Sequence, residues 1–124
     1  VAVPKGTKMT NTALTVAESR NGNVCIVALS GRIDSTNAND LITRFNSLIS
    51  SGEKSILVDL GAVLYLTSAA FRALLVATDE AERNQSRFVL CGVVGHVREL
   101  FEMGGLLDAF TIHSTRDEAV TKLS

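Results

Sequence analysis

An apolar run that leads at once into an amphipathic stretch constrains this chain most. Residues 56–60 read Ile-Leu-Val-Asp-Leu, and a run so rich in branched aliphatic side chains is typical of a strand buried on both faces of a sheet. Residues 67–84 have the apolar spacing of a helix, with Thr67 or Ser68 as its N-cap. Residues 61–66 are expected to carry the chain across the sheet edge. A buried strand followed by a helix indicates an α/β protein.

Composition and charge favour a single cytoplasmic domain. With 124 residues, of which 46% are hydrophobic, the chain is long enough to bury a core and is not disordered. The net charge of −1 and the lack of a basic stripe argue against nucleic acid or an anionic membrane as partner. No apolar run reaches the roughly 18 residues of a membrane span, and no signal-peptide core is evident. Cys25 and Cys91 lie in separate apolar runs, which is typical of buried thiols in a reducing compartment.

Patterns typical of strands and helices alternate through the rest of the chain. Asn21-Gly22 is a turn signal that joins the first two strands into an antiparallel hairpin. Asp34 and Ser35 are both good N-caps for the first helix. Thr115 and Glu118 form a capping box for the last helix. Strands are predicted at 13–18, 24–29, 56–60, 86–92 and 109–113, and helices at 36–49, 67–83, 94–103 and 115–123.

This order of elements predicts the fold class and the extent of the domain. It predicts an α/β fold with about four helices and a mixed central sheet of about five strands. An N-terminal hairpin is followed by alternating helices and strands. Residues 1–12 hold the only proline and are mostly small or polar. They are expected to be a flexible N-terminal arm or an expression remnant, and residues 13–124 are expected to form one domain.

The hydroxyl groups at the start of the second long helix lie in a distinct electrostatic setting. The first N–H groups of a helix have no intrahelical partner, and the positive end of the helix dipole lies there. A phosphate on Ser68 would interact favourably with those groups and would add about −1.5 to −2 charges to a nearly neutral surface. The position therefore suits a phosphorylation switch. The alternative is that Thr67 and Ser68 serve only as helix caps.

Several sequence blocks, in their order and spacing, resemble the signature of STAS domains. The single-domain members of that family are bacterial anti-sigma factor antagonists. The similarity covers roughly residues 14–123. The blocks are Gly-Arg-Ile-Asp at 31–34, Ile-Leu-Val-Asp-Leu at 56–60, Tyr-Leu-Thr-Ser-Ala-Ala-Phe at 65–71, Arg-Phe-Val-Leu-Cys-Gly at 87–92, and Val-Arg-Glu-Leu-Phe at 97–101 with Gly-Leu-Leu-Asp at 105–108.

The resemblance implies a partner switch. A family member of this kind binds an anti-sigma factor that is also a GHKL-type serine kinase, and the sigma factor is thereby released. The kinase phosphorylates a serine, which matches Ser68, and a PP2C-type phosphatase removes the phosphate. In line with the charge and the apolar pattern, no nucleic acid partner and no membrane insertion are expected, and a homodimer stays open. The residues expected to contact the partner are Gly31, Asp34, Ser35, Thr36, Thr67, Ala69, Ala70, Phe71 and Arg72.

The block around the serine departs from the family pattern of Asp-Ser-Ser/Thr/Ala-Gly-Leu. Thr67 stands in place of the Asp, Ala70 in place of the Gly and Phe71 in place of the Leu. The missing Asp removes a negative charge beside Ser68 and makes Thr67 an alternative phosphoacceptor. Ala70 fits if its backbone is helical. Phe71 is interpreted either as an exposed interface residue or as part of the core.

Other functions have weaker support in the sequence. Asp59 lies where a receiver domain has its phosphoacceptor, but the further acidic residues and the lysine of such a site are not evident. His96 and His113 have no neighbours at a metal or catalytic spacing, so no enzyme activity, catalytic residue, cofactor or metal is predicted. Two alternatives stay open. One is a STAS subunit of a transport or stress-sensing complex, and the other is a nucleotide- or anion-binding protein that uses the helix ends at Asp34 and Ser68.

Overall fold

A mixed β-sheet forms the centre of the computed structural model, which describes residues 8–10 and 14–124. Within those residues the sheet has six strands that lie side by side in chain order. The strands are β1 (Lys8–Thr10), β2 (Leu14–Asn21), β3 (Val24–Ile33), β4 (Ser55–Leu66), β5 (Arg87–Cys91) and β6 (Thr111–His113). The helices are α1 (Ala38–Ser50), α2 (Ser68–Arg83), α3 (Gly95–Met103) and α4 (Arg116–Leu123), and a short 3₁₀ helix covers Leu107–Ala109.

Strand directions confirm the predicted mixed sheet. β2 pairs antiparallel with β1 and with β3, whereas β3, β4, β5 and β6 run parallel to one another. The hairpin between β2 and β3 turns at Gly22, whose φ of +61° is readily available to glycine. Residues 1–12 were expected to be a flexible arm, and the structure describes only Lys8–Thr10 of that segment, as strand β1. The remainder of the segment lies outside the described residues.

The strand β4 is longer than the sequence pattern indicated. The prediction that residues 61–66 cross the sheet edge was wrong, because these residues continue β4 and pair with the end of β3, where Ile33 lies opposite Leu66. The pairing register shifts twice near Gly31, which has a φ of +101°. Where the pairing is irregular, consecutive side chains need not alternate between the two faces of the sheet. The sequence of residues 61–66 therefore lacks the pattern of a strand although these residues belong to β4.

Helices cover both faces of the sheet, as the apolar run of β4 predicted. Ile56 and Val58 face a large core formed with α1, α2 and α3, whereas Leu57 faces a smaller cluster under α4. All three side chains are fully buried. Burial of one such side chain stabilises the fold by about 1.5–3 kcal/mol. The three side chains of β4 together therefore contribute several kcal/mol to the stability of the fold.

The two cysteines are buried, as their apolar surroundings in the sequence predicted. Cys25 and Cys91 are free thiols, and both are buried. Within the described part of the chain, no helix combines the length and the apolar character that are needed to cross a membrane.

Candidate functional site

The loops after β3 and β4 meet at the carboxyl edge of the parallel strands. The carbonyl oxygen of Ile33 accepts a hydrogen bond from the Thr67 N–H at 3.1 Å, and the Thr67 hydroxyl lies 3.4 Å from the same oxygen. Asp34 and Ser68 directly follow these two residues in the chain. The structure therefore places the chain segments that lead into α1 and α2 side by side.

Ser68 is the exposed first residue of α2. Thr67 occupies the N-cap position with extended backbone angles, but its side chain makes no capping hydrogen bond. Its carbonyl oxygen accepts the N–H groups of Ala70 and Phe71 at 2.9 and 3.2 Å, and these bonds form the first turn. The Ser68 hydroxyl thus lies at the positive end of the helix dipole, within reach of another protein.

A tight turn after β3 fixes the carboxylate of Asp34. Its Oδ1 accepts hydrogen bonds from the Thr36 N–H at 2.9 Å and from the Thr36 hydroxyl at 2.5 Å. The guanidinium of Arg32 lies 3.6 Å from Oδ2. The hydrogen bonds from the Thr36 side chain and backbone, with a smaller contribution from Arg32, hold the pKa of Asp34 below its usual value. The carboxylate is therefore ionised and already paired within its own loop.

Asn37 is a residue of this loop that sequence reasoning missed. Its side chain is buried, donates a hydrogen bond to the Arg32 carbonyl oxygen at 3.0 Å and accepts one from the Asp34 N–H at 2.9 Å. Helix α1 begins after Asn37, so the prediction that Asp34 or Ser35 is its N-cap was wrong. Asp34 instead caps the single turn that precedes the helix. The sequence signal for this turn was a polar residue, Asn37, three positions after Asp34.

The residues expected to contact a partner differ in exposure. Phe71 packs edge-on against Phe101, with ring centroids 4.9 Å apart, so its ring belongs with the core. Ala70 is fully buried and belongs to the core rather than to a contact surface. Of the others, Ser35, Thr36 and Arg72 are exposed, whereas Gly31, Asp34, Thr67 and Ala69 are partly buried.

Exposed apolar side chains lie on the same edge, and the sequence prediction did not include them. Leu64 and Tyr65 near the end of β4 are 69% and 43% exposed, and Val94 before α3 is 58% exposed. The ring of His96 stacks on Tyr65 with centroids 5.9 Å apart, which links β4 to the start of α3. The consecutive pair Leu64-Tyr65, which breaks the alternation of a strand, was the signal in the sequence.

The groups considered for other chemistry have local structural partners. Asp59 accepts the Gly61 N–H at 2.8 Å and pairs with Arg116 at 2.9 Å, so its carboxylate holds the start of α4 against β4. His96 is exposed and lies 3.2 Å from Glu99. In residues 8–10 and 14–124, no three His, Cys, Asp or Glu side chains are arranged to hold a metal ion.

A cleft of about 590 Å³ opens near the start of α3. Arg98, Asp108 and His113 contribute its polar groups, and its lining residues do not include Asp34 or Ser68. The helix ends at Asp34 and Ser68 that were considered for nucleotide or anion binding are therefore not part of this cleft.

Comparisons with known proteins agree on one family. The STAS domain family model matches residues 16–119. A protein of Bordetella bronchiseptica, provisionally named anti-sigma factor antagonist BtrV, is 34% identical over 94 residues, which span 76% of this chain and 81% of that protein.

Solved structures with the same fold are more distant in sequence. An anti-sigma factor antagonist from Mycobacterium paratuberculosis has a TM-score of 0.80 and 22% identity, over 92% of this chain and 97% of that one. The Bacillus cell fate determinant SpoIIAA in its phosphorylated form has a TM-score of 0.68 and 17% identity, over 88% of this chain and 99% of that one. At this level of identity, the similarity supports the fold alone.

Proposed function

This chain belongs to the STAS domain family, and from that premise we propose that it is an anti-sigma factor antagonist switched by phosphorylation of Ser68. In its unphosphorylated form it binds an anti-sigma factor in the cytoplasm, and the sigma factor is released. The observation that carries the proposal is the exposed Ser68 hydroxyl at the start of α2, on the edge that also presents exposed apolar side chains.

The contact surface that we propose, called the docking edge, combines polar and apolar side chains. Apolar groups at the centre of an interface supply most of its binding energy, and polar groups around them supply specificity. The docking edge consists of Ser35, Thr36, Leu64, Tyr65, Ser68, Arg72 and Val94, all of which are exposed.

The switch is a transfer of a phosphoryl group. The Ser68 Oγ attacks the γ-phosphorus of ATP, loses its proton to a base of the GHKL-type kinase, and ADP leaves. A PP2C-type phosphatase transfers the phosphoryl group to water and restores the serine. The phosphate adds about −1.5 to −2 charges, which are costly to desolvate in an interface and repel acidic groups of the partner.

Ser68 is a better phosphoacceptor than Thr67 for a structural reason. The Thr67 side chain is partly buried, and its hydroxyl lies 3.4 Å from the Ile33 carbonyl oxygen, to which it donates. A kinase would have to break this contact to use Thr67 as nucleophile. Ser68 is exposed and requires no such change.

Incubation with ATP and the cognate GHKL-type kinase, followed by mass spectrometry, tests the modification. We expect one added phosphate on Ser68 in the wild type and none at that position in Ser68→Ala. An unmodified Ser68 after complete turnover of a control substrate would refute the proposal.

Binding to the anti-sigma factor tests the consequence. Ser68→Ala should bind like the wild type, whereas Ser68→Asp should bind about a hundredfold more weakly, because like charges placed together in an interface cost several kcal/mol and each 1.4 kcal/mol is tenfold in affinity. Ser47→Asp, on the exposed side of α1, adds the same charge away from the docking edge and should bind normally. Equal binding by Ser68→Asp and Ser47→Asp would show that charge at Ser68 is not the control.

A further inference from the structure

Arg72 lies one turn after Ser68 on α2, and both residues are exposed. Side chains three or four positions apart are neighbours on a helix surface. For Arg72 those positions hold Ser68 and Ala69 on one side and Leu75 and Val76 on the other. Ser68 is thus the one helical neighbour of Arg72 that can acquire a charge.

Other arginines on the helices have acidic partners. Arg83 at the end of α2 pairs with Glu80 at 2.7 Å, Arg98 in α3 lies 3.7 Å from Glu102, and Arg44 in α1 pairs with Glu18 at 2.8 Å. None of the ion pairs within residues 14–124 includes Arg72. The guanidinium of Arg72 is therefore not neutralised by a side chain of that part of the chain.

The carboxylate of the neighbouring loop already has other partners than Arg72. Asp34 is held by two hydrogen bonds from Thr36 and by Arg32. Thr67, directly before Ser68, is neutral. A phosphate on Ser68 would consequently be the one strong anion on the first turn of α2.

We propose that Arg72 is the internal partner of the phosphate on Ser68, an inference that rests on the proposed function. A guanidinium presents paired N–H donors that match phosphate oxygens, and the spacing of four residues allows contact across one helical turn. In the unphosphorylated protein the same guanidinium is available to an acidic side chain of the anti-sigma factor. Phosphorylation then acts twice on the docking edge, since it adds an anion and withdraws a cation.

Titration of the phosphate by ³¹P NMR tests the internal pair without kinase or partner. Phosphoserine is incorporated at position 68 during translation in the wild type, Arg72→Ala, Arg72→Lys and Arg83→Ala. The second pKa of the phosphate should be about 0.3 units higher in Arg72→Ala than in the wild type, as expected for a pair of this spacing. The difference should shrink in 1 M salt, because exposed charges are screened.

The two control variants make this titration specific to position 72. Arg72→Lys keeps the charge and should keep most of the shift, and Arg83→Ala should titrate like the wild type. Identical titration of Arg72→Ala and the wild type, or an equal change in Arg83→Ala, would overturn the internal pair. A shift in this experiment combined with no phosphorylation by the kinase would refute the proposed function and leave the pair intact.

Binding of the unphosphorylated variants to the anti-sigma factor tests the second role of Arg72. Arg72→Ala should bind about threefold to tenfold more weakly than the wild type, and its affinity should depend less on salt. Arg83→Ala should behave like the wild type in both respects. Unchanged affinity and salt dependence in Arg72→Ala would show that the partner makes no use of this cation.

Discussion

Gly92, directly after β5, lies where any side chain would be strained and crowded. Its φ is +72°, a conformation that costs other residues about 1–2 kcal/mol. A Cβ atom there would lie 2.6 Å from the Gly61 nitrogen and 2.8 Å from Oδ1 of Asp59. Both groups belong to β4, so the close approach of two parallel strands depends on this glycine.

Gly92→Ala should therefore lower the free energy of unfolding by about 2–4 kcal/mol, from backbone strain together with overpacking. Gly105 is a matched control, because its φ is +66° but a Cβ there would meet nothing within 4 Å. Gly105→Ala should cost only about 1–2 kcal/mol. Urea unfolding of both variants measures the difference. Equal losses of unfolding free energy would show that neighbouring atoms shift and relieve the steric contact at position 92.

Ala70 illustrates how a departure from a family pattern is accommodated. It lies inside α2, and its φ is not positive, so the glycine of the family pattern is not needed for backbone freedom here. Its methyl group is fully buried in the large core. The replacement therefore adds packing at no conformational cost.

Helix α4 protects the smaller cluster on the second face of the sheet. Ala119 and Leu123 pack on Leu57, Val89 and Cys91. The helix is only eight residues long, and isolated helices of that length are not stable in water. Its formation depends on this packing, on the pairing of Arg116 with Asp59 and on its N-cap.

The N-cap of α4 should contribute measurably to stability. The Thr115 Oγ1 accepts the Glu118 N–H at 3.1 Å, so Thr115→Ala should lower the free energy of unfolding by about 1 kcal/mol. Thr121→Ala removes an exposed threonine inside the same helix and should have no destabilising effect, because alanine has the higher helix propensity. Chemical unfolding followed by circular dichroism compares the two, and equal stability of both variants would contradict a capping role.

The molecule as a whole keeps both thiols away from water. Burial, reinforced by Glu53, raises the pKa of Cys25 from 9.0 to about 11, and burial together with Asp59 raises that of Cys91 from 9.0 to about 12. At pH 8 the thiols are protonated in both folded and unfolded chains, so they add no pH dependence. Above pH 9 the unfolded chain releases these protons while the folded chain retains them, and stability falls as pH rises.

The alkaline loss of stability should therefore depend on the cysteines. Between pH 8 and pH 10, the free energy of unfolding of the wild type should fall by about 2.5–3 kcal/mol more than that of a Cys25→Ala, Cys91→Ala double variant. The comparison removes the contribution of other groups that titrate in this range. Urea unfolding at several pH values measures the slopes, and parallel slopes would show that the thiolates are tolerated in the fold.

Short-range patterns were sufficient to predict the order of the elements from β2 to α4, the mixed sheet, the hairpin at Gly22 and the N-cap at Thr115. The predicted capping box is only half formed, because the Glu118 carboxylate accepts the Ser114 N–H and not the Thr115 N–H. These features depend on residues within a few positions of one another, through backbone conformation, hydrogen bonds of the caps and the period of apolar side chains. The family resemblance also followed from local blocks, and the family model confirms it. The role of Ser68 stays a prediction.

Contacts between distant segments fixed the rest. The extension of β4 to Leu66 depends on the irregular end of β3, and the burial of Phe71 depends on Phe101, thirty residues later. The buried position of the Asn37 side chain is fixed by its hydrogen bond to the Arg32 carbonyl oxygen, which no helical pattern in the sequence indicates. Whether a side chain is exposed depends on which distant segment packs over it. The local periodicity of apolar residues does not identify that segment.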